Sequence, residues 1–191
     1  VAPVLDTLRT AEPPTSLIAL AALRSMPGED VTKAIVEGFR SMPGNSARPL
    51  IAVLGARKDP AALPILEKAA HADDAKTRLA AIAALGASGL PEGLDTLLGA
   101  VKKDDDRKAA RDALLALADV LRARSIGDKA GAAYLAVFQA AGPEEKDLRR
   151  QAVEGIAAAP TTEAFEAMKS LAADKEMQEP VIRALLAVAG K

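Results

Sequence analysis

The chain has 191 residues, enough for one domain or one short repeat array. Lys and Arg number 25 and Asp and Glu number 26, so the chain lacks the positive surplus that nucleic-acid-binding proteins carry. Cysteine is absent, which excludes disulfides, thiolate metal sites and thiol nucleophiles. No run approaches the ~20 apolar residues of a membrane-spanning helix. We therefore expect neither a nucleic-acid partner nor a membrane span.

Alanine makes up roughly a quarter of the sequence, whereas aromatic residues make up only 2%. Alanine is the best helix former because it loses no side-chain entropy on folding. The β-branched and aromatic residues that favour strands are few. This composition predicts an all-α protein.

Gly, Pro and Asp interrupt the chain at short intervals, and the segments between them carry apolar residues at helical spacing. This pattern predicts about twelve helices. In chain order they cover residues 3–11, 15–26, 29–42, 46–57, 60–71, 74–87, 91–103, 106–124, 128–141, 144–159, 162–174 and 178–189.

Every second predicted helix contains two aliphatic residues three positions apart, set among alanines. The later member recurs at spacings of 31, 31, 32, 39 and 32 residues, and a near-constant period of this size indicates a stacked array of helix pairs. These motif pairs are Leu20/Leu23, Ile51/Leu54, Ile82/Leu85, Leu114/Leu117, Val153/Ile156 and Leu185/Val188.

A basic residue lies five to seven positions before the later member of most motif pairs, and an acid or amide lies just upstream of it. The basic residues are Arg48, Arg78, Arg111, Arg149 or Arg150, and Arg183; the upstream residues are Asn45, Asp74, Asp106, Glu145 and Glu179.

This combination resembles the HEAT-repeat family, and more closely its bacterial short form, the phycobilisome-lyase-type HEAT repeats. The best matches are AKTRLAAIAALG over residues 75–86 and LGARKDPAALPIL over residues 54–66. The resemblance implies a right-handed α-α superhelix, an armadillo-type solenoid of about six helix pairs, formed by residues 1–191 as a single array. It also implies that the second helices line the concave side, and that each second-helix arginine meets an acid in its own or an adjacent turn. We expect the chain to be a segment of a longer bacterial protein.

Some proteins with HEAT-like repeats are enzymes, and the residues argue against two such classes. Metal-dependent hydroxylases hold iron with several His-Glu pairs, whereas this chain has one histidine, His71, followed by Ala72. DNA glycosylases use a basic groove with aromatic residues, which the charge balance and the scattered aromatics do not provide. We place His71 instead at a helix C-terminus, where a cation suits the helix dipole.

A tetrapyrrole- or cofactor-handling protein of the lyase type is the alternative. Such a ligand would need aromatic and basic side chains around a pocket. Tyr134 and Phe138 lie four positions apart on one predicted helix face, with Arg122 and Arg124 upstream. The alternative predicts an open pocket beside the two rings, whereas a scaffold predicts that they are buried between helices.

The acidic run of residues 104–106 is a turn rather than a cation site. It lacks the spaced oxygen ligands and the glycine of an EF-hand loop, and cations flank it. We expect an aspartate of this run to cap the following helix.

The sequence thus predicts a non-catalytic protein-binding scaffold or spacer, with no catalytic, metal-binding or cofactor-binding residues. In repeat arrays the partner usually binds the extended concave surface. The partner would be another protein or adjacent domains of the same polypeptide. Candidate partner-binding residues are polar positions on second helices, namely Lys76, Lys108, Asp112, Asp119, Gln151 and Glu154.

Overall fold

The computed structural model of the protein describes residues 1–10, 15–42, 44–171 and 178–189. These residues form α-helices joined by short turns, and no strand occurs among them, so the all-α prediction is confirmed. The helices are α1 (Ala2–Thr10), α2 (Thr15–Ser25), α3 (Glu29–Ser41), α4 (Gly44–Arg57), α5 (Leu63–Ala69), α6 (Ala75–Ser88), α7 (Leu94–Ala100), α8 (Arg107–Ala123), α9 (Gly127–Ala140), α10 (Lys146–Ala158), α11 (Thr162–Leu171) and α12 (Gln178–Ala189).

The predicted helices agree with this order, with one systematic difference. The fifth and seventh were predicted to start at residues 60 and 91, but both begin with a single 3-10 turn, Pro60–Ala62 and Pro91–Gly93. Proline suits this first turn because it has no N–H to leave unpaired. The α-helical parts that follow have only 7 residues each.

The chain divides into two compact units, Val1–Thr96 and Leu97–Lys191. The expectation that residues 1–191 form one continuous array stays a prediction.

In the first unit, consecutive helices pair, and the second helices α2, α4 and α6 contact one another as one layer. Helices α4 and α6 approach each other closely at Gly55. A Cβ atom there would lie 2.7 Å from the backbone oxygen of Ala84. Only glycine allows two helix backbones to approach so closely, because a backbone neighbour cannot move aside.

In the second unit, α10 contacts both α8 and α12, while α9 packs against α8, α10 and α11. The second helices again form one layer and the first helices α9 and α11 another. Gly155 of α10 leaves room for the ring of Tyr134, since a Cβ atom there would lie 2.5 Å from that ring. A glycine and the largest buried side chain thus fit together at the α9–α10 contact.

The motif pairs form the centre of both cores. Both members are fully buried in α4, α6, α8 and α10. In α2, Leu23 is buried and Leu20 is half-buried, and Leu185 of α12 is also half-buried. The side chain of Val188 lies outside the described residues. Each fully buried aliphatic side chain contributes about 1.5–3 kcal/mol of transfer free energy.

The turn between α2 and α3 is held by an arginine at the end of α4. The Arg57 guanidinium donates hydrogen bonds to the backbone oxygens of Leu23 (2.8 Å), Met26 (2.5 Å) and Gly28 (2.8 Å). It also donates to the Thr32 hydroxyl, at 2.8 Å. Arg57 therefore satisfies carbonyl groups at the end of α2 that the helix itself leaves without partners.

Candidate functional site

Two of the predicted arginine–acid contacts, those of Arg48 and Arg111, occur between neighbouring repeats. Arg78 instead donates hydrogen bonds to the backbone oxygens of Ala72 and Asp73. In the first unit, Arg48 of α4 lies 3.0 Å from Asp74, the residue preceding α6. Asp74 also accepts hydrogen bonds from the backbone N–H and the hydroxyl of Thr77, so it caps α6. The Thr77 hydrogen bonds, with Arg48 adding a smaller part, lower the pKa of Asp74.

The second unit has the same arrangement, and its arginine is more deeply buried. The Arg111 guanidinium of α8 lies 2.5 Å from Glu145, the residue preceding α10. Glu145 also accepts a hydrogen bond from the backbone N–H of Gly142, and this bond, followed by Arg111, lowers the pKa of Glu145. Only 9% of the Arg111 side chain is exposed, against 24% for Arg48. These two pairs link a second helix to the start of the next one.

The contact of Arg183 is local instead. Its guanidinium lies 2.5 Å from Glu179, one turn earlier in α12, and both side chains are 79% exposed. Arg150 likewise pairs with Asp147 on its own helix. Such exposed pairs within a helix contribute only a few tenths of a kcal/mol.

The acidic turn before α8 differs from the prediction in one respect. Asp104 and Asp105 are exposed, as expected of a solvated turn. Asp106 occupies the N-cap position of α8, but its side chain makes no capping hydrogen bond and is buried. The predicted cap is therefore wrong at this helix, whereas Asp74 caps α6. Within the described part of the chain, no three His, Asp or Glu side chains are grouped so that they could hold a metal ion.

The predicted partner-binding residues are mostly exposed. Lys76 lies in the first turn of α6, and Lys108 holds the equivalent position in α8. The structure places five of the six at the surface, and these are Lys76, Lys108, Asp112, Gln151 and Glu154.

Asp119 is the sixth, and it has a structural contact. Its carboxylate accepts a hydrogen bond of 2.5 Å from the Tyr134 hydroxyl, to which Arg122 also donates at 3.1 Å. Burial, followed by the hydrogen bond to Asp119, raises the pKa of Tyr134 to about 12. The hydroxyl therefore stays protonated at neutral pH and joins α9 to α8.

Both rings considered for the lyase-type alternative belong to the core. Tyr134 is 1% exposed and Phe138 is 6% exposed. The Arg149 guanidinium lies over the Phe138 ring, 4.6 Å from its centre, which is a cation–π contact. Neither ring lines a groove described for residues 1–10, 15–42, 44–171 and 178–189; Tyr134 packs against Gly155 and Phe138 against Arg149, both on α10.

A groove in the second unit runs along the opposite side of α9 and has a volume of about 1180 Å³. We call it the α9 groove. Its floor consists of small and aliphatic residues, and its rim carries four charged side chains. The floor includes Leu98, Val101, Ala132, Leu135, Ala136 and Ala140, and the charged residues are Lys102, Arg107, Asp128 and Glu163.

A second groove, of about 960 Å³, lies in the first unit between α3, α5 and the start of α6. Phe39, Pro64 and Ile65 supply its apolar part. His71 also lines it and is exposed, in the turn just after α5, beside the helix C-terminus at which the sequence placed it. Both grooves lie mainly on first helices, whereas the predicted partner-binding residues all lie on second helices. The signal available in the sequence was the row of alanines on the outer face of α9.

Comparison with known proteins supports the repeat assignment. Residues 32–118 match the family described as HEAT repeats. The coarser resemblance is thus confirmed over that stretch, while the phycobilisome-lyase subtype is not shown. A search of curated proteins finds no match to the sequence.

Two solved structures are similar in fold. An engineered protein, crystallised by the Northeast Structural Genomics Consortium, has 16% identity and a TM-score of 0.54, with 98% of this chain and 96% of that chain covered. Human deoxyhypusine hydroxylase in complex with glycerol has 18% identity and a TM-score of 0.42, with 100% and 96% covered. The first likeness supports the fold alone, and the second is too low to carry an argument. No helix in the described ranges has the length and hydropathy needed to cross a bilayer.

Proposed function

We propose that this chain is a non-catalytic protein-binding scaffold that presents the second helices to a partner. The observation that carries this proposal is the polar surface of α8 and α10. These helices contact each other and bury their motif pairs, while Lys108, Asp112, Gln151 and Glu154 are exposed. A surface held in place by a packed core binds with less loss of conformational entropy than a mobile one.

The charge distribution on this surface supports a protein partner rather than a phosphate backbone. Lys108 contributes a positive charge, Asp112 and Glu154 contribute negative charges, and Gln151 is neutral. Mixed signs of this kind favour a partner with complementary charges and select its orientation more than they increase its affinity.

The lyase-type alternative receives less support. It depends on open space beside Tyr134 and Phe138, and both side chains are buried. The high pKa of Tyr134 and its contacts with Asp119 and Arg122 have a structural explanation at the α8–α9 contact.

Affinity capture from a lysate of the source organism, read by mass spectrometry, tests the proposal. The site variant changes Lys108, Asp112, Gln151 and Glu154 to Ala. The control variant changes the exposed turn residues Lys103, Asp105 and Glu144 to Ala, which removes the same net charge.

We expect a protein partner that binds the wild type and the control but is lost with the site variant. Circular dichroism should show equal helix content in all three proteins. A partner retained by the site variant would contradict the position of the site. An absorbing small molecule that co-purifies in place of a protein would contradict the proposed function itself.

A further inference from the structure

We propose that the α9 groove is a second docking surface, which takes one amphipathic helix of a partner protein with an acidic first turn and a basic last turn. This inference rests on the proposed function, protein binding, but assigns it to first helices and defines the chemistry of the bound segment. It is carried by the shape of the groove and by the separation of charge along it.

The acidic side chains lie at one end of the groove. Asp128 is in the first turn of α9. Gly131, one turn later, approaches the backbone of Ala159 and the side chain of Thr161 so closely that a Cβ atom would meet both. This contact places the start of α11, including Glu163, beside the start of α9.

The basic side chains lie at the other end. Lys102 lies in the turn before α8, and Arg107 is the first residue of α8. Arg111, one turn into α8, contacts Glu145, which in turn accepts a hydrogen bond from Gly142 just after α9. The start of α8 therefore lies beside the C-terminal end of α9. The two basic side chains that line the groove, of which Arg107 also pairs with Asp104, thus lie at the opposite end of that helix from the two acidic ones.

The floor between these ends fits a helix. Ala132, Ala136 and Ala140 recur every fourth position, so they line one face of α9 and allow close approach of another backbone. Asp128 and Gln139 are about 17 Å apart along the helix axis, from the rise per residue. The groove volume then corresponds to a mean cross-section of about 70 Å², enough for the apolar side of a helix about 10 Å wide.

The charges also fix the direction of the bound helix. A helix is most stable with acids in its first turn and bases in its last turn, because these complement its dipole. Its acidic first turn would meet Lys102 and Arg107, and its basic last turn would meet Asp128 and Glu163. The bound helix therefore runs antiparallel to α9, inserting leucines at i, i+3, i+4 and i+7 spacing.

Fluorescence anisotropy with a synthetic peptide tests this inference. The probe is a labelled helical peptide of about 15 residues, about 22 Å long, with two glutamates in its first turn, a Leu/Ala stripe and two lysines in its last turn. In the control peptide the four charged residues are glutamine, so that neither end can form ion pairs in either direction. We expect the control to bind the wild type about tenfold more weakly, since each exposed ion pair contributes modestly.

A neutral variant gives the decisive comparison. Lys102→Gln, Arg107→Gln, Asp128→Asn and Glu163→Gln remove the charges at four exposed positions, so the helix content should be unchanged. The neutral variant should bind the probe and the control peptide equally. A blocking variant, Ala132→Trp, should weaken binding of both peptides.

Equal binding of both peptides to the wild type, no binding, or an unchanged preference in the neutral variant would overturn the inference. A concentration-dependent dimer that the neutral variant abolishes, with no peptide binding, would identify a second copy as the occupant and also overturn it. The site variant of α8 and α10 should bind the probe like the wild type. Loss of the captured partner in that variant, without any peptide binding to the wild type, would leave the proposed function intact and refute only this inference.

Discussion

The inner second helices α4 and α10 carry the same motif as the outer second helices α2 and α12, but the motif residues are buried to different extents. In the first unit α4 contacts second helices on both sides, α2 and α6, and in the second unit α10 contacts α8 and α12. Both motif residues of α4 and α10 are fully buried. The outer helix α2 exposes Leu17 and Ile18, and α12 exposes Ile182 and Leu186. A repeat motif becomes core only to the extent that neighbouring repeats cover it.

The arginines show the same difference. Arg48 and Arg111 each reach the acid that precedes the next second helix, whereas Arg183 of α12 reaches only Glu179 of its own helix. The contacts of Arg48 and Arg111 therefore join neighbouring repeats. The contact of Arg183 stabilises only its own helix.

The largest expected effect is in the core. Leu54→Ala in α4 should lower the free energy of unfolding by about 3 kcal/mol, through lost transfer free energy and the cavity left behind. Leu20→Ala in α2 should cost about 1 kcal/mol, because Leu20 is half-buried and water can occupy the space. Urea unfolding followed by circular dichroism measures both. Equal losses would show that α2 is as fully packed as α4.

The next effect concerns the ion pairs. Arg111→Ala should lower the free energy of unfolding by about 2 kcal/mol, because it removes a charged hydrogen bond and the packing of a buried side-chain stem. Arg183→Ala should change it by less than about 0.5 kcal/mol, since that pair is exposed. Denaturant midpoints at low and high salt measure the difference. An equal loss of unfolding free energy for Arg183→Ala and Arg111→Ala would show that contacts between repeats contribute no more than contacts within one helix.

The smallest expected effect is on acid sensitivity. The pKa of Glu145 in the folded protein is below its ordinary value of 4.5, so this carboxylate stabilises the fold above that value. The stabilisation is lost as pH falls from this ordinary value through the lowered pKa. Glu145→Gln should therefore be less stable than the wild type at neutral pH and show a flatter dependence over that range.

Glu179→Gln is the matched control for this measurement, because Glu179 also pairs with an arginine but only within its own helix. It should leave the pH dependence of the denaturant midpoint close to that of the wild type. A Glu145→Gln curve as steep as the wild type would show that other carboxylates cause the acid loss.

The sequence by itself determined the helices and the buried motif pairs. Both follow from local rules: apolar residues at helical spacing, alanine propensity, and Gly, Pro and Asp at the boundaries. Leu54, Leu85, Leu117 and Ile156 could be assigned to the core because the periodicity identifies the apolar face of each helix. How completely each side chain is buried depends on the neighbouring repeats.

Only the tertiary structure decided the contacts between segments distant in the chain. Arg57 holds a turn 29 to 34 residues earlier, Asp119 receives the hydroxyl of Tyr134, and Asp106 is buried rather than capping. The α9 groove likewise depends on bringing together residues from the end of α7 to the start of α11. Local periodicity determines which face of a helix is buried, but the distance between two helices depends on every side chain packed between them.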